Sequence, residues 1–158
     1  LDLNNFNTSK VINMYSMFSK CSKLTSLDLS NFDTKRVTNM GQMFYGCSAL
    51  TNLDLSNFDT SKVTEMYSMF SGCKSLTQLD LSNFDTSQVT DIRSMFAACE
   101  KLTTIYISDK WKTNSIVYSG NMFNGCCSLT GFSQEKTNVK MAKPVEQSGY
   151  LTLKSNML

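Results

Sequence analysis

Five cysteines recur at a near-constant interval, Cys21, Cys47, Cys73, Cys99 and Cys126, and four aspartates keep the same beat, Asp2, Asp28, Asp54 and Asp80. Their types could do chemistry: a thiolate is a nucleophile and a metal ligand, and a carboxylate binds cations or moves protons. The spacing argues against most of it. None of the five recurring thiols stands at C-x-x-C spacing from another, and histidine is absent from all 158 residues, so zinc ligation and a Cys–His pair both lack their parts. The expectation is no catalytic residue, no metal and no cofactor. The thiols read as small buried hydrophobes, pointing the same way in successive copies rather than toward one another in disulfides. Cys127 is the exception, because its neighbour holds the repeating position, and its thiol is expected to face outward.

The aspartates are read differently. Carboxylates about 5 Å apart repel by roughly 1 kcal/mol per pair in water-like surroundings. Such a row persists where solvent, hydroxyls, a cation or a partner's basic groups offset it. Asp28 with Ser30, Asp54 with Ser56 and Asp80 with Ser82, ended by Tyr106, therefore form a candidate ligand stripe on a strand face, with inherited and solvated repeat positions as the plainer alternative. A second candidate set breaks the repeat. Tyr15, Gly41, Tyr67 and Arg93 occupy one variable position, and Tyr45 stands where other copies have Ser or Ala. With Arg36, Trp111 and Tyr118 they supply the aromatic and guanidinium groups that dominate protein interfaces. Asp33, Asp59 and Asp85 are assigned to turns, as acceptors for backbone amides.

The elements that must position these groups are written once and copied. Residues 24–50 read LTSLDLSNFDTKRVTNMGQMFYGCSAL, and a shift of 26 residues gives 50–76 and again 76–102, with a partial copy from Leu1. Fixed self-similarity at this period means a stacked array. Within a copy, Leu27 and Leu29 alternate with Asp28 and Ser30, the period of a half-buried strand. From Val37 the spacing 37, 40, 44, 47 predicts one face of a short helix, ended near Gly46 and Gly72. One coil cannot bury its own apolar face, so the coils must stack, strand beside strand and each residue on its counterpart. The Met-Phe pairs at 17–18, 43–44, 69–70, 95–96 and 122–123 then form a continuous core column.

The predicted class is thus an α/β repeat solenoid, a stack of about five 26-residue coils with a short parallel strand and a short helix in each. The last copy carries one extra residue around Asp109 to Ser119. The array is placed at 1–132 and a C-terminal capping segment at 133–158, with an added strand at 150–153.

Copies of LDLSNFDT-x-x-VT-x-M-x-x-MF-x-x-C-x-x-L resemble the BspA-like leucine-rich repeats of bacterial surface proteins, the DUF285-type repeat of mycoplasma lipoproteins. The resemblance covers Leu1 to about Phe132. It implies a secreted or wall-anchored protein that engages a host matrix, serum or immune protein; the absence of His, of a phosphate-cradling glycine loop and of a nucleophile with its base argues against an enzyme. One departure stands out. The spacing of ordinary leucine-rich repeats puts asparagine at residue 32, where this chain has Phe32 preceded by Asn31, so a buried asparagine ladder is not expected.

Charge narrows the partners further. Basic and acidic groups are balanced along the repeats, and the net +2 arises beyond residue 130, where four lysines meet Glu135 and Glu146. Such a field does not point to nucleic acid. No apolar run approaches the ~18 residues of a membrane span, so no insertion by this segment is expected. Leu1 opens inside a repeat, which suggests a fragment with any export signal or anchor outside it. Two functions remain: a monomeric, non-enzymatic binding module on a bacterial surface, or a passive stalk presenting another domain.

Overall fold

A computed structural model of the chain describes residues 1–131, 142 and 149–154. The boundary at Phe132, most of the expected cap, including Pro144, and residues 155–158 lie outside the described residues. Residues one repeat apart do lie over one another. The rings of Phe18, Phe44, Phe70, Phe96 and Phe123 form a column with centroids 5.6–5.8 Å apart and planes within 14° of parallel. Around it Met43, Met69, Met95 and Met122 are fully buried, as are Cys47, Cys73, Cys99 and Cys126.

The α/β class is overturned, since the described residues contain no helix. Where a helix would send each N–H to the carbonyl four residues back, the chain divides its donors between two directions. Met40, Gln42, Phe44 and Gly46 donate to the carbonyls of Glu65, Tyr67, Met69 and Ser71 in the next coil, at 2.8–2.9 Å. The alternating residues Met43, Tyr45 and Cys47 donate three residues back at 3.0–3.2 Å. Two left-handed residues per coil make this possible: Gln42 has φ 55° and Gly46 φ 70°, and Ser16, Ser68, Ser94 and Asn121 repeat the first at 53–60°. A left-handed residue ends a right-handed helix at once. The spacing 37, 40, 44, 47 is therefore met by consecutive tight turns that point the same side chains inward.

The strands are also fewer than the alternation predicts. β1 (Gln78–Asp80), β2 (Thr104–Ile107) and β3 (Thr152–Leu153) form one parallel sheet in that order, with Asp80 opposite Tyr106 and Tyr106 opposite Thr152. No strand is assigned at the equivalent Leu27–Leu29 or Leu53–Leu55. The added strand expected at 150–153 forms at Thr152–Leu153, and Tyr150 closes the Phe column edge-on, 5.2 Å from Phe123.

Two polar columns tie the turns together. Thr34 Oγ1 donates to the Asp59 carbonyl and accepts from the Asp59 amide at 2.8–2.9 Å, and Thr8, Thr60 and Thr86 do the same with Asp33, Asp85 and Lys112. A buried hydroxyl placed between a donor and an acceptor of another coil satisfies three groups at once. Asparagine does form a ladder, one position earlier than the ordinary repeat would have it. Asn31, Asn57 and Asn83 donate from Nδ2 to carbonyls of the preceding coil, Asn57 to Leu29 and Phe32 at 2.9 Å. Asn31 and Asn57 remain exposed and Asn83 half-buried, because Phe32, Phe58 and Phe84 take the inner place.

The extra residue of the last copy is absorbed between Tyr106 and Lys112. Asp80 still faces the residue 26 positions on, whereas Thr86 pairs with Lys112, one position later than Thr60 with Asp85. Trp111 consequently takes the place of Phe84, making the same turn bond to the residue three before it. It is buried, so its assignment to the variable outer surface is corrected: Trp111 is the aromatic plug of the last coil. Its indole N–H has no hydrogen-bond partner among the described residues.

Candidate functional site

The thiols are positioned by the turns that replaced the helix. Cys47 Sγ donates to the Phe18 carbonyl, Cys73 to Phe44, Cys99 to Phe70 and Cys126 to Phe96, at 2.8–3.2 Å. Each links its own coil to the one before. Burial first, then the neighbouring thiol, pushes Cys47 up to about 11, and burial pushes Cys126 up to about 12. Cys73 and Cys99 are driven up further for the same reason. A thiol protonated at neutral pH is a poor nucleophile and metal ligand. All six cysteines are free, with Cys127 exposed and Cys21 partly so. Among the described residues no three His, Cys, Asp or Glu side chains are arranged to hold a metal ion.

The aspartate stripe is held by one turn repeated. Asp28, Asp54 and Asp80 each accept, on Oδ1, the backbone N–H of the serine two residues on, at 2.9–3.0 Å. Ser30, Ser56 and Ser82 thus serve as donors that fix the carboxylates. The Ser30 amide and hydroxyl hold Asp28 below the usual carboxylate value, and Ser56 does so for Asp54 against the opposing charges of Asp80 and Asp28. For Asp80, burial would raise the value, and the Lys154 ammonium with the Ser82 donors outweighs it. Tyr106 lies beside Asp80 in the sheet, half-buried. Asp33, Asp59 and Asp85 accept the N–H of Lys35, Ser61 and Ser87 within their turns.

The variable positions gather on another set of rows. Parallel bridges link Asn13, Asn39, Glu65, Asp91 and Tyr118. Two residues on stand Tyr15, Gly41, Tyr67, Arg93 and Gly120. Tyr15 and Tyr67 are two coils apart, yet their rings meet with centroids 6.0 Å apart. They meet because Gly41 lies beneath them: a Cβ there would stand 2.7 Å from Tyr67 Cε1. Burial and the Tyr15 hydroxyl, with Glu65 and Asp91 nearby, raise the Tyr67 phenol. Arg93 makes an ion pair of 2.6 Å with the buried Asp91 and lies 5.1 Å over the Tyr118 ring. Arg36 is exposed and Tyr45 half-buried, and neither joins this cluster.

Sequence reasoning therefore found Tyr15, Tyr67 and Arg93 but not what assembles them. Asn39, Glu65 and Asp91 were missed as a row, and Asn39 Nδ2 donates to Glu65 at 2.6 Å. The available signal was Gly41, a glycine between Tyr15 and Tyr67 at one repeat position. In a column, an absent side chain makes room for its neighbours.

No curated protein and no solved structure matches the chain. A family model does, over residues 1–53 and 26–139, and it is described as mycoplasma protein of unknown function, DUF285. Those two matches overlap over residues 26–53, and the chain belongs to the DUF285 family.

Proposed function

We propose that this chain is a non-enzymatic binding module of a secreted or wall-anchored bacterial surface protein, and that it engages a host protein through its non-repeating face. One observation carries the reading. Of the large hydrophobic side chains left exposed, Tyr15 lies on the row of Tyr67 and Arg93, Tyr118 on the row two residues before it, and Ile12 and Val117 on the row three before. Isolated exposed apolar residues are ordinary, but a shared face with Tyr and Arg has the composition of interface centres.

The test is a binding screen of the purified chain against host matrix, serum and immune proteins, followed by Tyr67→Ala, Arg93→Ala and Tyr118→Ala. A micromolar or tighter partner that loses at least tenfold in affinity with these variants supports the reading. Absence of any such partner overturns it. The continuous Phe column favours a second reading, a passive stalk presenting another domain. In that case adhesion of whole cells would follow the number of coils and ignore the three substitutions.

A further inference from the structure

We infer that Tyr15 and Tyr67 form an oxidative cross-linking site, where a peroxidase supplied with hydrogen peroxide joins the two rings by a carbon–carbon bond. The residues stand two coils apart, so at the spacing of paired strands their backbones are separated by roughly 10 Å. Their rings meet all the same, with centroids 6.0 Å apart and planes tilted by 39°. Both lean onto the coil between them. From one side, Cε1 and Cζ of Tyr67 lie over Gly41, 2.7 and 2.9 Å from where a Cβ would stand. From the other, the Tyr15 hydroxyl donates to Gln42 Oε1 at 3.2 Å. The edge of Tyr67 that leans inward is therefore the reactive one, since Cζ carries the hydroxyl and Cε1 is ortho to it. Burial and then contact with the Tyr15 hydroxyl raise the Tyr67 phenol, which agrees with two hydroxyl-bearing edges converging.

The chemistry needs that convergence. Each phenol gives up an electron and its proton, leaving a phenoxyl radical whose spin is shared between the oxygen and the ortho carbons. The two radicals combine through one ortho carbon apiece, and the hydrogens on those carbons move to the oxygens, restoring both phenols. The two hydrogens lost overall reduce one hydrogen peroxide to two waters. A pair already in contact couples within one chain instead of waiting for a second. Tyr118 is more exposed than Tyr15, yet its ring faces the Arg93 guanidinium. The inference does not rest on the binding role proposed above, because its test reads the tyrosines themselves with no host protein present.

The experiment treats the whole chain, in dilute solution, with a haem peroxidase and hydrogen peroxide. Cys127 and Cys21 are first capped with iodoacetamide, because accessible thiols are readily oxidised. Dityrosine fluorescence should appear in chains that run as monomers on a denaturing gel and weigh two hydrogens less than before. Peptide mapping should find Tyr15 bonded to Tyr67. Tyr15→Phe and Tyr67→Phe, which keep the rings and remove the phenols, should each abolish this product, and Tyr118→Phe should leave it unchanged. Gly41→Ala, which parts the rings, should lower the yield about tenfold, and unfolding the chain in urea before oxidation should scatter the bonds among other tyrosines. Failure to form dityrosine within the folded chain would overturn the inference. So would a bond formed mainly between chains or through other tyrosines, or a yield indifferent to Tyr67→Phe.

Discussion

The first coil and the coils inside the stack have nearly the same sequence and different surroundings. Leu1 and Phe6 are 77% and 53% exposed, whereas their counterparts one repeat on, Leu27 and Phe32, are 9% and 3% exposed. Met17 is 37% exposed and Met43 fully buried. Residue type is constant, so burial here is a property of the neighbour. Each coil contributes half of two interfaces, and stability resides in those interfaces rather than in any coil taken singly.

The contrast is sharpest in alkali. A thiol whose folded value is raised holds its proton after an unfolded chain has lost it, so its contribution is complete below the unfolded value near 9 and is lost as pH rises through the folded value. Cys47, Cys73, Cys99 and Cys126 are all raised by burial. Unfolding should become steeply easier above about pH 9, where these thiols ionise only on unfolding. Urea melts from pH 8 to 10.5, repeated with Cys73→Ala, check this, since the variant's slope should be shallower by about one proton. At neutral pH a maleimide should label Cys127 and Cys21 in the folded protein and reach the other four only on unfolding. Early labelling of Cys73 would break the comparison.

Next in size is the aromatic column. Phe70 is sandwiched by Phe44 and Phe96, whereas Phe18 has one stacked neighbour, Phe44, and a tilted one, Phe32. Phe70→Ala should cost about 3–5 kcal/mol, as large cavities in packed cores do. Phe18→Ala should cost clearly less in the same denaturant series. Equal costs would mean that the first coil is held by something other than its single neighbour.

The buried hydroxyls give a smaller effect with a more specific signature. Thr60→Val preserves shape but leaves the Asp85 amide and carbonyl without their partner, which costs about 1–3 kcal/mol. Hydrogen exchange should accelerate at Asp85 rather than throughout the chain. Thr8→Val in the first coil should give the lesser loss.

How much of this was legible in the sequence depends on which physical quantity a residue pattern encodes. The period, the Phe and Cys columns and the turn aspartates were readable, because a repeat of 26 forces equivalent side chains into line. The local backbone was not. Val37, Met40, Phe44 and Cys47 meet the spacing of a helix face, and turns joined through a left-handed residue meet it equally. What separates the two is the small or polar residue at 16, 42, 68, 94 and 121, which periodicity ignores. Trp111 was misassigned because a one-residue insertion hid its alignment with Phe84. For the outer rows, the sequence displayed Tyr15 and Tyr67 separately, and their meeting depends on what Gly41 lacks.

That meeting supplies the smallest prediction, and it tests the nearest-neighbour picture directly, since Tyr15 of the first coil touches Tyr67 across an intervening coil. If coils couple only to adjacent coils, the energies of Tyr15→Leu and Tyr67→Leu should add. The ring contact instead predicts a coupling of about 0.5–1.5 kcal/mol in a double-mutant cycle. Gly41→Ala should remove that coupling while changing stability little, because the new methyl meets side chains, the Tyr67 ring and the Asn39 amide oxygen, rather than backbone. Tyrosine fluorescence quenching by acrylamide should rise in Gly41→Ala as the two rings part. A coupling that survived Gly41→Ala would overturn its assignment to the ring contact.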